Sequence, residues 1–257
     1  MSAGGARTAD LASAWTTVNG LAAHARVSVG SPPDGPLIVL VHGMVVSSRY
    51  MEPLARHLAP FARVRVPDLP GYGRSARPDH ILELPELTDA LVHWMDVTGL
   101  ERANMLGNSL GCQVIVDLAV RYPDRIERAV LQGPTTDPRR RPPAKTLAAW
   151  MVHNVREPSG MTKIMALDYW HAGLHRVIRT FRMSLEDPIE GKLPHVRVPT
   201  LVVRGSRDVI VTQAWAEEVT RLLPRGRLVV IPGVMHTINF YQPLELTRVV
   251  LPFLGEG

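Results

Sequence analysis

Cysteine is nearly absent from this chain of 257 residues: Cys112 is the single one, so no internal disulfide can form. Long apolar runs are also missing, because no stretch of 18 apolar residues occurs, and we expect no membrane-spanning helix. The segment from Met1 to Ala14 is small and polar, without the apolar core of a secretory signal. These absences predict a cytoplasmic protein with no membrane partner.

Lysine is scarce as well, being confined to positions 145, 163 and 192, although the formal net charge is +5 and the sequence pI is about 9.8. The densest basic cluster, Arg139 to Arg141, is followed by Pro142 and Pro143 and is typical of a solvated loop. Nucleic-acid binding needs a basic stripe with interleaved aromatic residues, and the chain has none. We therefore predict no nucleic-acid partner.

Hydrophobic residues make up 46% of the chain, enough for the large core of an α/β domain. Short apolar runs alternate with segments of helical periodicity, which indicates a mostly parallel sheet with helices on both faces. The predicted strands are 15–18, 21–29, 37–41, 63–66, 102–106, 128–131, 200–203 and 227–231. The predicted helices of this alternating part are 49–58, 86–97, 110–122, 213–223 and 244–254.

The alternation stops after the sixth strand. From Pro134 to Pro194 no strand is evident, and the pattern predicts helices over 146–155, 161–171 and 174–185. An all-helical insertion in an α/β sheet indicates a cap over the carboxyl edge of the strands. We predict a core formed by residues 1–133 and 195–257, with the cap at 134–194.

The stretch from Met105 to Gly111 has the pattern G-x-S-x-G, with Ser109 at its centre, between a predicted strand and a predicted helix. A serine on so tight a turn has strained backbone angles, and side chains at Gly107 and Gly111 would collide. The strand–turn–helix context indicates a nucleophile elbow.

A serine nucleophile needs a general base, an orienting carboxylate and N–H donors for the oxyanion. In open α/β sheets such groups follow the carboxyl ends of strands. Asp208 and His236 each follow a predicted strand in this way, and so does the loop that begins at His42 and includes Met44. Asp137, which follows the sixth strand, is the rival to Asp208 as the acid.

These motifs, in the chain order Ser, Asp, His, resemble those of the α/β-hydrolase fold with a helical cap, over nearly the whole chain. The resemblance implies Ser109 as nucleophile, His236 as base and Asp208 as the acid that orients it. It also implies an oxyanion hole formed by the backbone N–H groups of Met44 and Leu110. We expect no cofactor.

With serine at the apex, we predict hydrolysis of a small to medium apolar carboxylic ester through an acyl-enzyme. The partner is thus a small-molecule substrate, and the oligomeric state, a homodimer included, is left open. The predicted pocket residues are Asn108, Trp150, Trp170 and Arg179.

The elbow Gly-Asn-Ser-x-Gly also resembles that of carbon–carbon bond hydrolases acting on ring-fission dienols, where a cap arginine holds the substrate carboxylate. Arg176, Arg179 or Arg182 would have that role here. Against this alternative, Met44 to Ser48 lacks that group's Gly-Pro-Gly, and Thr237 replaces a tryptophan. A ligand receptor on the same fold is a further alternative.

Other candidate residues have simpler explanations. We expect His42, Asp68 and Arg74 to shape loops, and Cys112 to be a core residue, not a redox centre. Asp168, His171 and His175 have a spacing that could place ligands on one helix face, but no fourth ligand is evident. We therefore predict no metal site.

Overall fold

The structure is a computed structural model that describes residues 8–142, 144, 148–149, 151–152 and 159–255. Its strands are β1 (Leu11–Val18), β2 (Leu21–Ser28), β3 (Leu37–Val41), β4 (Arg63–Pro67), β5 (Ala103–Asn108), β6 (Ile126–Gln132), β7 (Thr200–Gly205) and β8 (Gly226–Ile231). The longer helices are α1 (Ser48–Leu58), α2 (Leu84–Val97), α3 (Leu110–Arg121), α4 (Thr162–Ala172), α5 (Leu174–Glu186), α7 (Gln213–Leu222) and α9 (Pro243–Leu254). Two single-turn helices, α6 (Ile189–Lys192) and α8 (Ile238–Tyr241), also occur among the described residues.

The eight strands form one sheet in the order β1-β2-β4-β3-β5-β6-β7-β8. Strands β3 to β8 pair in parallel, and β2 pairs antiparallel with β1 and β4. The hairpin predicted from Asn19 and Gly20 is present, with φ angles of 50° and 79° at the two residues, as a tight β1–β2 turn requires. The predicted fold class, a mostly parallel sheet flanked by helices, is confirmed.

The core lies on both faces of the sheet. Along β3, Val39 and Val41 face one hydrophobic cluster, which α2, α3 and α7 cover. Ile38 and Leu40 face the other cluster, which α1 and α9 cover. A central parallel strand is buried on both faces, which explains why Leu37–Val41 is a continuous apolar run.

Between β6 and β7 the described residues form helices and 3₁₀ turns, and none of them is assigned to a strand. Helices α4 and α5 match the predictions 161–171 and 174–185 to within one residue at each end. The predicted helix 146–155 lies largely outside the described residues. We call residues 159–194 of this insertion, which are all described, the cap; the predicted outer boundaries at 134 and 194 stay predictions.

No helix in the described ranges combines the length and the apolar character needed to cross a membrane.

Candidate active site

Ser109 lies at the junction of β5 and α3 with φ 54° and ψ −117°, a conformation that non-glycine residues rarely adopt. A Cβ atom on Gly107 would lie 2.5 Å from the backbone carbon of Gly111. One on Gly111 would lie 2.3 Å from the carbonyl oxygen of Val41. Because both contacts involve rigid backbone, only glycine fits beside this serine, for the reason that the sequence suggested.

The Nδ1 atom of His236 lies 2.7 Å from Oδ2 of Asp208, and both side chains are buried. A carboxylate only accepts hydrogen bonds, so this bond places the proton of the neutral imidazole on Nδ1. The other carboxylate oxygen accepts the N–H groups of Ile210 (2.8 Å) and Val211 (2.9 Å). Burial acts to raise the pKa of Asp208. His236 and these two N–H groups lower it by more, so the pKa lies below its ordinary value.

Arg204, at the end of β7, holds the turn that carries Asp208, the predicted acid. Its guanidinium donates from Nη2 to the carbonyl oxygen of Asp208 (3.0 Å) and from Nε to that of Val211 (2.7 Å). Its Nη1 reaches the side chain of Gln213 at 3.2 Å. Sequence reasoning missed this residue, although an arginine inside an apolar strand, four residues before the acid, is a signal that could have found it.

The last residue of β6 and the residue after it contact His236, the predicted base. The side-chain amide of Gln132 donates to the carbonyl oxygen of His236 at 2.7 Å. Gly133 has φ 61°, and a Cβ atom there would lie 2.6 Å from Cε1 of the His236 ring. The imidazole therefore packs directly against the Gly133 backbone. Nothing in the sequence pattern marks either residue as part of the site.

Ser109 and His236 line the same small cavity, of about 50 Å³, together with Asn108 and Met44. The cap covers it: Met161, Met165 and Tyr169 form part of its wall. Ser109 and Met44 also line a second cavity of about 40 Å³, together with Asp137 and Phe181. Asp137 pairs with Arg139 (Oδ1 to Nε, 3.0 Å), so of the two candidate acids it is Asp208 that contacts the His236 ring.

The loop after β3 carries Met44, one of the two predicted oxyanion donors; Leu110, the other, is the first residue of α3, where backbone N–H groups have no partner within the helix. His42 fixes the start of this loop. Its Nε2 accepts the N–H of Leu69 (3.1 Å), so Nδ1 is protonated and donates to the carbonyl oxygen of Gly43 (2.9 Å). Burial lowers the pKa of His42, which keeps the ring neutral in this arrangement.

Asp68 ties together three parts of the chain around this loop. Its carboxylate accepts the N–H groups of Ser48 (2.6 Å) and Arg74 (3.0 Å) and lies 2.8 Å from Nδ1 of His24. Burial acts to raise the pKa of Asp68, but these partners and His42 lower it below its ordinary value. The placement agrees with the loop-shaping role expected for Asp68.

The predicted pocket residues do not lie together in the structure. Asn108 lines the first cavity, with its side chain held by the hydroxyl of Tyr50 (2.9 Å) and the carbonyl oxygen of Gln132 (3.3 Å). Trp170 is 84% exposed on the outer face of α4, which corrects its assignment to the pocket. Trp150 lies outside the described residues.

None of the three cap arginines lines either of the two cavities described above. Arg179 is exposed and paired with Glu83, and it lines an outer cleft, not a cavity that contains Ser109, which corrects its assignment too. Arg182 is exposed and lies 3.6 Å from Glu186. Arg176 is buried over the ring of Tyr72, at 5.8 Å from the ring centre.

The residues considered for redox or metal chemistry are also separated. Cys112 is buried inside α3, and burial raises the pKa of its thiol well above the ordinary value. Asp168 is buried, whereas His171 and His175 are exposed. Within the described ranges, no group of three or more metal-ligating side chains is placed to hold a metal ion.

Comparison with known proteins identifies a family whose sequence model matches this chain. The sequence model described as the alpha/beta hydrolase fold matches residues 36–168, just over half of the chain. Carboxylesterase YbfK of Bacillus subtilis (strain 168) is 26% identical over 250 residues, which cover 90% of this chain and 84% of the relative. The 2-hydroxy-6-oxononadienedioate/2-hydroxy-6-oxononatrienedioate hydrolase of Comamonas testosteroni is 24% identical over 267 residues, covering 90% and 92% respectively. The enol-lactonase from Burkholderia xenovorans LB400 superposes with a TM-score of 0.74 at 24% identity, over 95% of this chain and 100% of that one.

Proposed function

We propose that this chain, which belongs to the alpha/beta hydrolase fold family, is a serine esterase acting on small to medium apolar carboxylic esters. One observation carries the proposal. A histidine held by a buried carboxylate at 2.7 Å shares a cavity with a serine whose backbone has the elbow conformation. An imidazole oriented by an acid beside a serine hydroxyl is the arrangement that activates serine as a nucleophile.

In the proposed reaction Oγ of Ser109 attacks the ester carbonyl carbon while Nε2 of His236 takes the hydroxyl proton. The carbonyl oxygen becomes an oxyanion, which the backbone N–H groups of Met44 and Leu110 stabilise. His236 then gives its proton to the leaving alcohol, and the acyl group stays on Ser109. Water, deprotonated by His236, attacks the acyl carbon; the acid leaves, and the proton returns to Ser109. Asp208 stays ionised throughout.

The lining of the two cavities supports an apolar substrate of modest size. Beside Ser109 and His236, the first is lined by two tyrosines, by Asn108 and Thr237, and by five apolar side chains: Met44, Val46, Met161, Met165 and Ile210. The second adds Phe181 and Leu185 but also the polar Thr136, Asp137 and Ser184. We infer that the acyl and alcohol groups occupy one cavity each, with Ser109 between them.

The test is a series of p-nitrophenyl esters of rising acyl length, assayed with the wild type and with Ser109→Ala. We expect multiple-turnover cleavage that is lost in Ser109→Ala. Ser31→Ala is the matched control, because Ser31 precedes β3 at the end of that strand opposite to the site, and it should keep wild-type rates. Full activity in Ser109→Ala would refute the proposal, and a single burst that stops at one equivalent would favour a ligand receptor.

Carbon–carbon bond hydrolysis is the second candidate, favoured by Asn108 in the elbow and by the name of the Comamonas relative. The positions of the cap arginines weigh against it, since Arg179 and Arg182 pair with acids outside the site. A ring-fission dienol assayed beside the ester series separates the two. Consumption of the dienol with negligible ester turnover would replace the first proposal by the second.

A further inference from the structure

Helix α4 of the cap carries one buried carboxylate, that of Asp168, which is 2% exposed. Its neighbours on the same helix, Met165 and Tyr169, line the cavity that contains Ser109. A charged side chain is costly to bury unless it is paired or hydrogen-bonded. Whatever holds Asp168 therefore also fixes the wall of the cavity.

The partner of Asp168 belongs to the loop that carries the proposed oxyanion donor. The hydroxyl of Ser47 donates to Oδ2 of Asp168 at 2.7 Å, and Nη1 of Arg49 lies 3.5 Å from Oδ1. Ser47 is the N-cap residue of α1, where a serine hydroxyl ordinarily accepts a backbone N–H of the first turn. It makes no such capping bond here and is used instead to bind the cap.

The loop from Met44 to Ser48 contains Val45 with φ 57°, a strained conformation for a β-branched residue, and it is held from two sides. On one side the N–H of Ser48 binds Asp68 at 2.6 Å. On the other side Ser47 binds Asp168. The charged and titratable groups that act on Asp168 are Arg49, His42 and Asp68.

We propose that Asp168 is a positioning residue that couples the seating of the cap to the oxyanion loop through Ser47. This inference rests on the proposed esterase function. When the cap is seated, the same hydrogen bond places Met165 and Tyr169 against the substrate and holds the backbone of Met44 in place. Asp168 touches neither the substrate nor the reacting atoms in this scheme.

Asp168→Ala should lower kcat for p-nitrophenyl esters by about tenfold, because loss of an oxyanion donor outright costs about 10²–10³ in kcat and a loosened donor costs less. Asp168→Asn keeps an oxygen that accepts the Ser47 hydroxyl, so it should recover most of the rate. This rescue separates positioning from a need for charge.

Coupling is measured by a double-mutant cycle with Ser47→Ala. If both residues act through one hydrogen bond, Asp168→Ala with Ser47→Ala should lower kcat about as much as either change alone. Asp187 provides the matched comparison, as a buried cap carboxylate that binds Lys192 (2.6 Å) instead of the loop. The effects of Asp187→Ala and Ser47→Ala should multiply. Multiplying effects for Asp168 and Ser47 would overturn the proposal.

A second readout keeps this test separate from that of the ester reaction. Labelling of Ser109 by a fluorophosphonate needs the nucleophile and the oxyanion donors but not a particular ester. If the wild type turns over no ester, the esterase proposal fails, and a slower labelling rate in Asp168→Ala would still support the coupling. Wild-type labelling in a folded Asp168→Ala would overturn it. If that variant does not fold, Ser47→Ala, which removes the same hydrogen bond from the loop side, is labelled instead, and labelling at the wild-type rate would overturn the proposal.

Discussion

Gly133→Ala tests how closely the backbone after β6 supports the proposed base. The new Cβ atom would lie 2.6 Å from Cε1 of His236, in a backbone conformation with φ 61°. An ordinary contact is about 3.4 Å or more, so the ring must move by roughly 0.8 Å, and a displacement of about 1 Å at a reacting group can cost about 10²-fold in rate. The left-handed conformation adds a cost of about 1–2 kcal/mol in stability. We expect kcat for p-nitrophenyl esters to fall by about 10²-fold.

A matched variant separates the collision from the backbone strain. Gly99 has φ 70°, and a Cβ atom there would meet nothing within 4 Å. Gly99→Ala should therefore lose similar stability, measured by thermal unfolding, while it keeps the wild-type kcat. If Gly133→Ala retains the wild-type kcat, or if Gly99→Ala loses as much activity, the argument from packing against His236 is refuted.

Three further predictions concern the buried polar groups. The pKa of Asp68 is lowered in the folded protein, so its carboxylate contributes stability above the ordinary carboxyl pKa of about 4, and that contribution is lost as the pH falls through the folded value. The difference in unfolding free energy between wild type and Asp68→Asn should therefore shrink with falling pH, and a constant difference would contradict this. Arg204→Met removes the bonds that hold the turn of Asp208 and should lower kcat by about tenfold or more, because the acid loses its orientation; unchanged kinetics would show that the turn holds itself. The Cys112 thiol, with its raised pKa, should react with a thiol reagent only after denaturation, and rapid labelling of the native protein would contradict its burial.

The sequence predicted those parts of the fold that depend on local pattern. Leu37–Val41 is continuous and apolar because a central parallel strand is buried on both faces, so its bounds could be read directly. The face that a cap helix buries could not be predicted from the local sequence pattern. Trp170 is large and apolar yet exposed, since the face that α4 buries is set by its contact with the loop at Ser47, not by its own periodicity.

Some residues of the candidate site could be predicted from local sequence pattern, and others could not. Asp208 and His236 could be proposed from the sequence, because the carboxyl ends of parallel strands meet at one edge of the sheet. Gly133 and Asp168 could not, because each acts on a partner far along the chain: Ser47 and Asp168 are 121 residues apart. Such pairs form only once the sheet and the cap are assembled, so they cannot be predicted from residue type or spacing.

The loop from Met44 to Ser48 shows how a strained conformation is maintained. Val45 adopts φ 57° at a cost of about 1–3 kcal/mol, and a glycine would remove that strain. Its side chain, however, is 1% exposed in the cluster under α3, and burial of a valine contributes about 1.5–3 kcal/mol. The two quantities are of the same size, so the packing of Val45 from below offsets the strain. The remaining freedom of the loop lies toward the cap, and it is there that Ser47 binds Asp168.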